Sequence, residues 1–188
     1  MRLSFRKKKN TSDKIKEATL NILARDGYED ISMRKIAKEA DVALGQLTYY
    51  YKSKNNLIVS VIDEVLDMFY DGLEDRVKRS KNKVEGIIEG IEEALNEDNL
   101  VNKLLITVFS MAQVNKKLNK SLKSFYDNTI ELVSNCFKQD NPNISGEESQ
   151  IKARLLAGTT IETMIEKSIG FSSPNSTLIR DAAQRLGA

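Results

Sequence analysis

The spacing of apolar residues constrains this chain most, because they recur at intervals of three and four and never sustain an alternation of two. Ile58, Val61, Ile62, Val65, Phe69, Leu73 and Val77 make one long stripe, and Ile15, Ala18, Ile22 and Leu23 a shorter one. That period lays apolar side chains on one face of an α-helix, whereas a strand needs a period of two. Breakers and caps punctuate the pattern. Of two prolines, Pro142 lies in the turn Asn141-Pro142-Asn143, and Pro174 follows Ser173 in the order of an N-cap and first helical residue. Ser12, Ser32 and Ser53 each precede an apolar run, Ser145 and Glu148 have capping-box spacing, and Gly27 suits a left-handed C-cap. The spacing predicts about nine helices, over 12–26, 33–40, 44–50, 54–81, 84–95, 100–115, 118–138, 146–169 and 174–186. The fold class is all-α.

Composition narrows the function. A chain of 188 residues, 30% charged and 40% hydrophobic, makes one large or two small domains with a proper core. The uncharged stretch Leu104 to Asn115 is shorter than the roughly 20 residues of a membrane-spanning helix. The basic N-terminus is not followed by an apolar segment, so neither a signal peptide nor a membrane partner is expected, and the expected location is cytoplasmic. One cysteine excludes an intrachain disulfide, and the absence of histidine excludes a Cys/His zinc site and imidazole acid–base chemistry. No catalytic residue, metal ligand or cofactor is implied, and an enzyme is not expected.

The net charge of +2 is a sum of opposites. Residues 1–54 hold 13 Lys and Arg against 7 Asp and Glu, while residues 55–188 hold 16 against 20. A basic first quarter suits a polyanionic partner; solvated charged faces are the alternative explanation of charge alone.

Within that basic quarter, Ile36, Ala37 and Ala40 share a face of a short helix. Asp41-Val42-Ala43 turns the chain, and Leu44 to Tyr50 forms another short helix. Two short helices joined by a tight turn, with small residues at their crossing, describe a helix-turn-helix, whose second helix enters the major groove. It carries Gln46, Thr48, Tyr49 and Tyr50; Lys52 and Lys54 follow, and the run Arg6-Lys7-Lys8-Lys9 precedes the unit.

The stretch from Gly27-Tyr28 through Ser32, then Ile36-Ala37-Lys38-Glu39-Ala40-Asp41-Val42-Ala43-Leu44-Gly45-Gln46-Leu47-Thr48-Tyr49-Tyr50-Tyr51-Lys52-Ser53-Lys54-Asn55-Asn56-Leu57, resembles the DNA-binding domain of TetR-type bacterial repressors. The resemblance covers residues 12–60, with the Ile-Ala core, the Gly-x-Leu-x-Tyr helix and the Lys-Ser-Lys-x-x-Leu exit in register. Three positions depart from it. Ala43 replaces the usual Ser or Thr cap of the recognition helix, which forgoes about 1 kcal/mol unless Asp41 or water compensates. Leu44 stands where a polar or basic residue is frequent, and Thr48 where Tyr is common.

The resemblance implies a DNA-binding domain at 1–53 with a basic arm and a helical effector-binding and dimerisation domain at 54–188. It places Arg34 at a base edge, where a guanidinium suits guanine. By their own chemistry Gln46 can bridge the donor and acceptor of adenine, and Leu44 and Thr48 can pack on a thymine methyl. Tyr49 and Tyr50 are expected to divide, one packing and one reaching a phosphate. Ser32, Lys52 and Lys54 are candidate phosphate clamps. Lys7, Lys8 and Lys9 are either a DNA-binding arm or a disordered tail.

Residues 54–138 are rich in methionine and aromatics, which either fill a core or wall a pocket. In proteins of the resembled family this region encloses a small-molecule site. Candidate lining residues are Phe69, the stripe Leu105, Phe109 and Gln113, and from the next helix Tyr126 and Thr129. The acidic balance of this part hints at a cationic ligand. Gly86 and Gly90, one turn apart, suit close helix packing or a pliable link, and packing is the preferred reading. Cys136 has no basic or resolving neighbour and reads as a small buried hydrophobe. Ala153, Ala157, Gly158, Ile161 and Ile165, with Leu178 and Ala182 of the last helix, are the expected homodimer interface, four helices in the pair as the resemblance implies.

The resulting expectation is a repressor bound as a dimer to palindromic double-stranded operator DNA and released by a small, largely apolar effector. The alternatives are a helix-turn-helix regulator governed by a protein partner, which an open groove without a cavity would favour, or an activator.

Overall fold

The computed structural model describes residues 10–96, 100–170 and 178–187, and their side chains except at 96, 100–103 and 105. The described residues form nine helices: α1 (Thr11–Asp26), α2 (Met33–Glu39), α3 (Leu44–Tyr50), α4 (Lys54–Arg79), α5 (Lys83–Asn96), α6 (Leu100–Ala112), α7 (Lys116–Asp140), α8 (Gly146–Ser168) and α9 (Leu178–Arg185). No strand occurs among them. The chain is all-α.

Local capping sets most boundaries. Ser32 Oγ accepts from Lys35 N, and Ser53 Oγ from Asn56 N, starting α2 and α4 as expected. At α8 Ser145 Oγ accepts from Glu148 N at 3.0 Å, but the Glu148 carboxylate turns to Lys152, also at 3.0 Å. The start of α1 differs from the expectation. Asn10, not Ser12, is the cap, and it forms a reciprocal box with Asp13, whose backbone N–H it accepts at 2.9 Å. Ser12 lies inside the first turn, and its hydroxyl bonds the Tyr51 hydroxyl at 3.0 Å. Gly27 closes α1 at φ 78° and ψ −176°. The positive φ was expected, but the extended ψ lies outside the left-handed helical region, in one that essentially only glycine enters. Helix α6 stops at Ala112 because Asn115 caps the next helix, accepting from Lys117 N and Leu118 N. The expected start of the last helix at Ser173-Pro174 lies outside the described residues.

The apolar faces meet in two clusters, and α4 belongs to both. Its first half, Leu57 to Leu66, packs with Ile15, Ile22 and Leu23 of α1, Ile36 of α2, Leu47 of α3, and Leu104 and Val108 of α6. Its second half, Leu73 and Val77, packs with Ile87 and Ile91 of α5, Val133 and Phe137 of α7, Leu156 of α8 and Ile179 of α9. Gly86 and Gly90 allow α5 to press on α4. A Cβ at Gly86 would stand 2.6 Å from Ser80 Oγ, and one at Gly90 2.8 Å from Leu73 Cδ2. Arg76 of α4 pairs with Glu89 and Glu93 of α5, and Arg180 of α9 with Glu85 and Glu92. No described helix is long and apolar enough to cross a membrane.

Candidate nucleic-acid interface and internal cavity

Helix α3 is held by one side chain. Leu47 is fully buried, and it is the only buried residue of this seven-residue helix. Truncating such a core leucine costs about 2–5 kcal/mol. The turn before it is closed by Ala40 N–H on Ile36 O at 2.9 Å and Val42 N–H on Ala37 O at 3.0 Å. Asp41 takes φ 53°, the only non-glycine residue with positive φ among those described. Ala43 supplies no side-chain cap, and Asp41 does not replace it.

The rest of α3 faces outward. Leu44, Tyr49 and Tyr50 are 39%, 78% and 46% exposed, beside exposed Gln46 and Thr48. Tyr49 and Tyr50 do not divide as expected; both project, edge to face at 5.5 Å. The packing tyrosine is Tyr51, half-buried against the first core. Thr48 Oγ1 donates to Gly45 O at 3.0 Å, so its hydrogen is engaged within the helix.

The cations of this domain sort into tied and untied. Arg25 bonds Asp26 at 2.9 Å and Glu39 at 3.2 Å, and Lys35 pairs with Asp26 at 2.9 Å, joining the end of α1 to α2. These two cations pull the Asp26 carboxyl down to about 2. Arg34 and Lys52 are exposed and make no ion pair among the described residues. The Lys54 ammonium lies 4.3 Å from the centre of the Tyr28 ring. Ser32 is exposed while capping α2. Lys7, Lys8 and Lys9 lie outside the described residues.

A cavity of about 410 Å³ lies among α4, α5, α6, α7 and α8. Phe69, Phe109, Tyr126 and Thr129 line it. Gln113 does not; α6 has ended by then and the amide is exposed in the following turn. The side chain of Leu105 lies outside the described residues. The sequence reading missed Leu104, Leu122, Lys123 and Met164 on the walls. Leu122 stands one turn before Tyr126 on α7, which is the signal that would have found it. The hint of a cationic ligand finds no support in the walls: among the described residues no acidic side chain lines the cavity, and Lys123 is the one charged wall residue.

Helix α8 turns its small residues inward. Ala153 is fully buried in the second core, and Ala157 and Ile161 line the cavity, so these three do not form the expected outer face. The outward apolar residues are Ile151, Leu155, Ile165 and Ile169, at 51%, 53%, 48% and 72% exposure, with Gly158 exposed between them. Leu178 and Ala182 of α9 are half-buried. Cys136 is buried in the second core, and that burial raises its thiol to about 12.

A short outward-facing helix, anchored by one leucine behind a tight turn and flanked by untied cations, defines a helix-turn-helix DNA-binding protein. Residues 15–61 match the family of bacterial regulatory proteins, tetR family. A fatty acid metabolism regulator protein of Bacillus subtilis is 26% identical over 155 residues, 79% of this chain and 78% of that one. An HTH-type transcriptional regulator of Staphylococcus aureus is 24% identical over 158 residues, 84% of each chain. Among solved structures, a TetR transcription regulator from Haloarcula marismortui superposes with a TM-score of 0.79 at 17% identity, over 94% of both chains. The fatty acid degradation regulator FadR from Bacillus halodurans gives 0.76 at 20%, over 96% of both. The family match assigns a tetR-type regulatory domain that binds DNA to residues 15–61, and the relatives similar over most of the chain are regulators by name.

Proposed function

We propose that the chain is a repressor that binds a palindromic operator as a dimer and is released when a small, largely apolar effector fills the cavity. Residues 1–53 contact DNA, and residues 54–188 hold the effector and the second subunit. One observation carries this reading. Val65, Leu66 and Leu104 line the cavity and also belong to the core cluster that holds Ile36 and Leu47. An occupant that displaces those three residues shifts the support of α3. Release requires tighter binding to the DNA-incompetent state, a coupling of about 1–3 kcal/mol. A concave, largely apolar pocket walled by five helices supports a small molecule over a protein partner as the controlling ligand.

In this reading Arg34 and Gln46 meet base edges, and Leu44 and Thr48 meet thymine methyls. Tyr49, Tyr50, Ser32 and Lys52 hold phosphates, and Lys54 steadies the exit from α3 through Tyr28. The test is fluorescence anisotropy against duplex DNA from upstream of the protein's own gene, with an unrelated duplex as control, across a salt series. Arg34→Ala is expected to weaken binding selectively at particular base pairs. Lys52→Ala is expected to weaken all duplexes alike and to reduce the salt slope by ~1. Equal binding to both duplexes, lost with salt, would reduce the domain to a nonspecific phosphate binder and overturn the reading.

A further inference from the structure

We propose that the cavity takes an elongated amphiphile with one anionic head, seated with its head at Lys123 and Asn119 and its apolar chain toward α5 and α8. This rests on the reading of the cavity as an effector site and names the chemistry of its occupant.

The shape comes first. On α7 the wall residues run from Asn119 to Val133, about 21 Å of helix at 1.5 Å per residue. The cavity, of about 410 Å³, follows that stretch of α7. Its inner end is walled by Leu73, Ile87, Ile91 and Leu156, all members of the second core, where only an apolar chain is at home.

The polar wall residues are Asn119, Lys123, Tyr126, Thr129 and Thr160. Thr129 Oγ1 donates to Phe125 O and Thr160 Oγ1 to Leu156 O, so neither hydroxyl hydrogen is available to a ligand. Lys123 and Asn119 lie one turn apart, both exposed at the opening. Among the described residues Lys123 makes no ion pair and no carboxylate lines the walls. Lys116, Lys117 and Lys120 precede it on α7, and no acidic residue occurs on that helix before Asp127. An ammonium without a partner, beside an amide and above an apolar cavity, suits a carboxylate or phosphate on a chain.

The test is calorimetric titration of the full chain, below micelle formation, with dodecanoate, dodecyl phosphate, dodecanol and dodecyltrimethylammonium. The two anions are expected to bind one to one and about two- to fivefold tighter than the alcohol, with the ammonium weakest. Lys123→Gln should equalise dodecanoate and dodecanol, and Lys123→Glu should favour the ammonium. Both substitutions are at an exposed position, and their unfolding midpoints serve as the control for folding. Dodecanoate against dodecyl phosphate decides which anionic head the site prefers. Equal binding of all four probes, a preference that survives Lys123→Gln, or no one-to-one binding would overturn the proposal. Anisotropy in the same samples separates the two claims. Charge-selective binding that leaves operator DNA bound sinks the effector reading alone, whereas release by all four probes without preference sinks the head-group assignment alone.

Discussion

Single residues decide whether the DNA-reading unit can form. Asp41 holds φ 53° in the turn between α2 and α3, a conformation in which most side chains crowd the following carbonyl. Aspartate tolerates it and glycine more so, whereas a β-branched residue does not. Asp41→Val is expected to cost about 1–2 kcal/mol by urea unfolding, and Asp41→Gly to change stability by less. Similar losses for both would show that the aspartate side chain, and not its backbone, matters. Cys136 gives a pH dependence. Burial raises its thiol to about 12, so the unfolded chain gives up that proton first as pH rises. The stability of the native state therefore falls between roughly pH 9 and 12 and is complete below that window. Cys136→Ala should flatten that part of the profile, and thiol reagents should label the wild type only as fast as it unfolds. A profile unchanged by the substitution would assign the alkaline loss to other groups. Both residues were visible in the sequence, but only Cys136 could be read there: a lone cysteine on the apolar face of a helix is a sequence property, whereas a positive φ at a non-glycine is imposed by the crossing of α2 and α3.

At the scale of elements, helix starts were legible where the cap is a local serine, as at Ser32, Ser53 and Ser145. They were not where two polar residues compete. Asn10 outranks Ser12 because only it has an Asp three positions on to complete the reciprocal box. The end of α6 was overrun because Asn115, an acceptable helix residue, caps α7 while its Nδ2 donates to Asn55 Oδ1 at 2.6 Å. The close contact of α4 and α5 was anticipated at Gly86 and Gly90, though the atoms that demand it were not. An alanine at Gly86 gains about 1 kcal/mol in helix propensity, yet its Cβ would fall 2.6 Å from Ser80 Oγ and 2.8 Å from Ser80 Cβ. Overpacking of that kind costs about 1–3 kcal/mol. Gly86→Ala should therefore destabilise, and Ser80→Gly in the same chain should return much of the loss, a coupling read by a double-mutant cycle in urea. Additive effects would locate the strain elsewhere.

The whole molecule raises the question of a second subunit, and the outward face of α8 holds only Gly158 and Ile165 of the α8 residues that the sequence suggests for it. Small residues at helical spacing permit close approach to any helix, whether in the same chain or another. Ala153, Ala157 and Ile161 use that freedom within the protomer. A more discriminating signal is large apolar side chains left in water, and Ile151, Leu155, Ile165 and Ile169 make that row. Their spacing, with Gly158 and Glu162 filling the gaps, alternates four and three along the helix, the seam of two packed helices. A twofold pairing along it would set two copies of α3 toward two half-sites, so dimerisation and operator affinity are expected to fail together. Leu155→Glu and Ile165→Glu, at exposed positions, are expected to leave the protomer folded and lower the solution mass from twice the 21.2 kDa chain to that of one chain. Affinity for a palindromic operator should fall by about 10²–10⁴, the advantage of a linked second site, while affinity for an isolated half-site holds. Ala157→Glu should act differently, because its carboxylate enters the cavity and opposes an anionic ligand without breaking the pair. Light scattering that finds Ala157→Glu monomeric and Leu155→Glu dimeric would return the interface to the small residues.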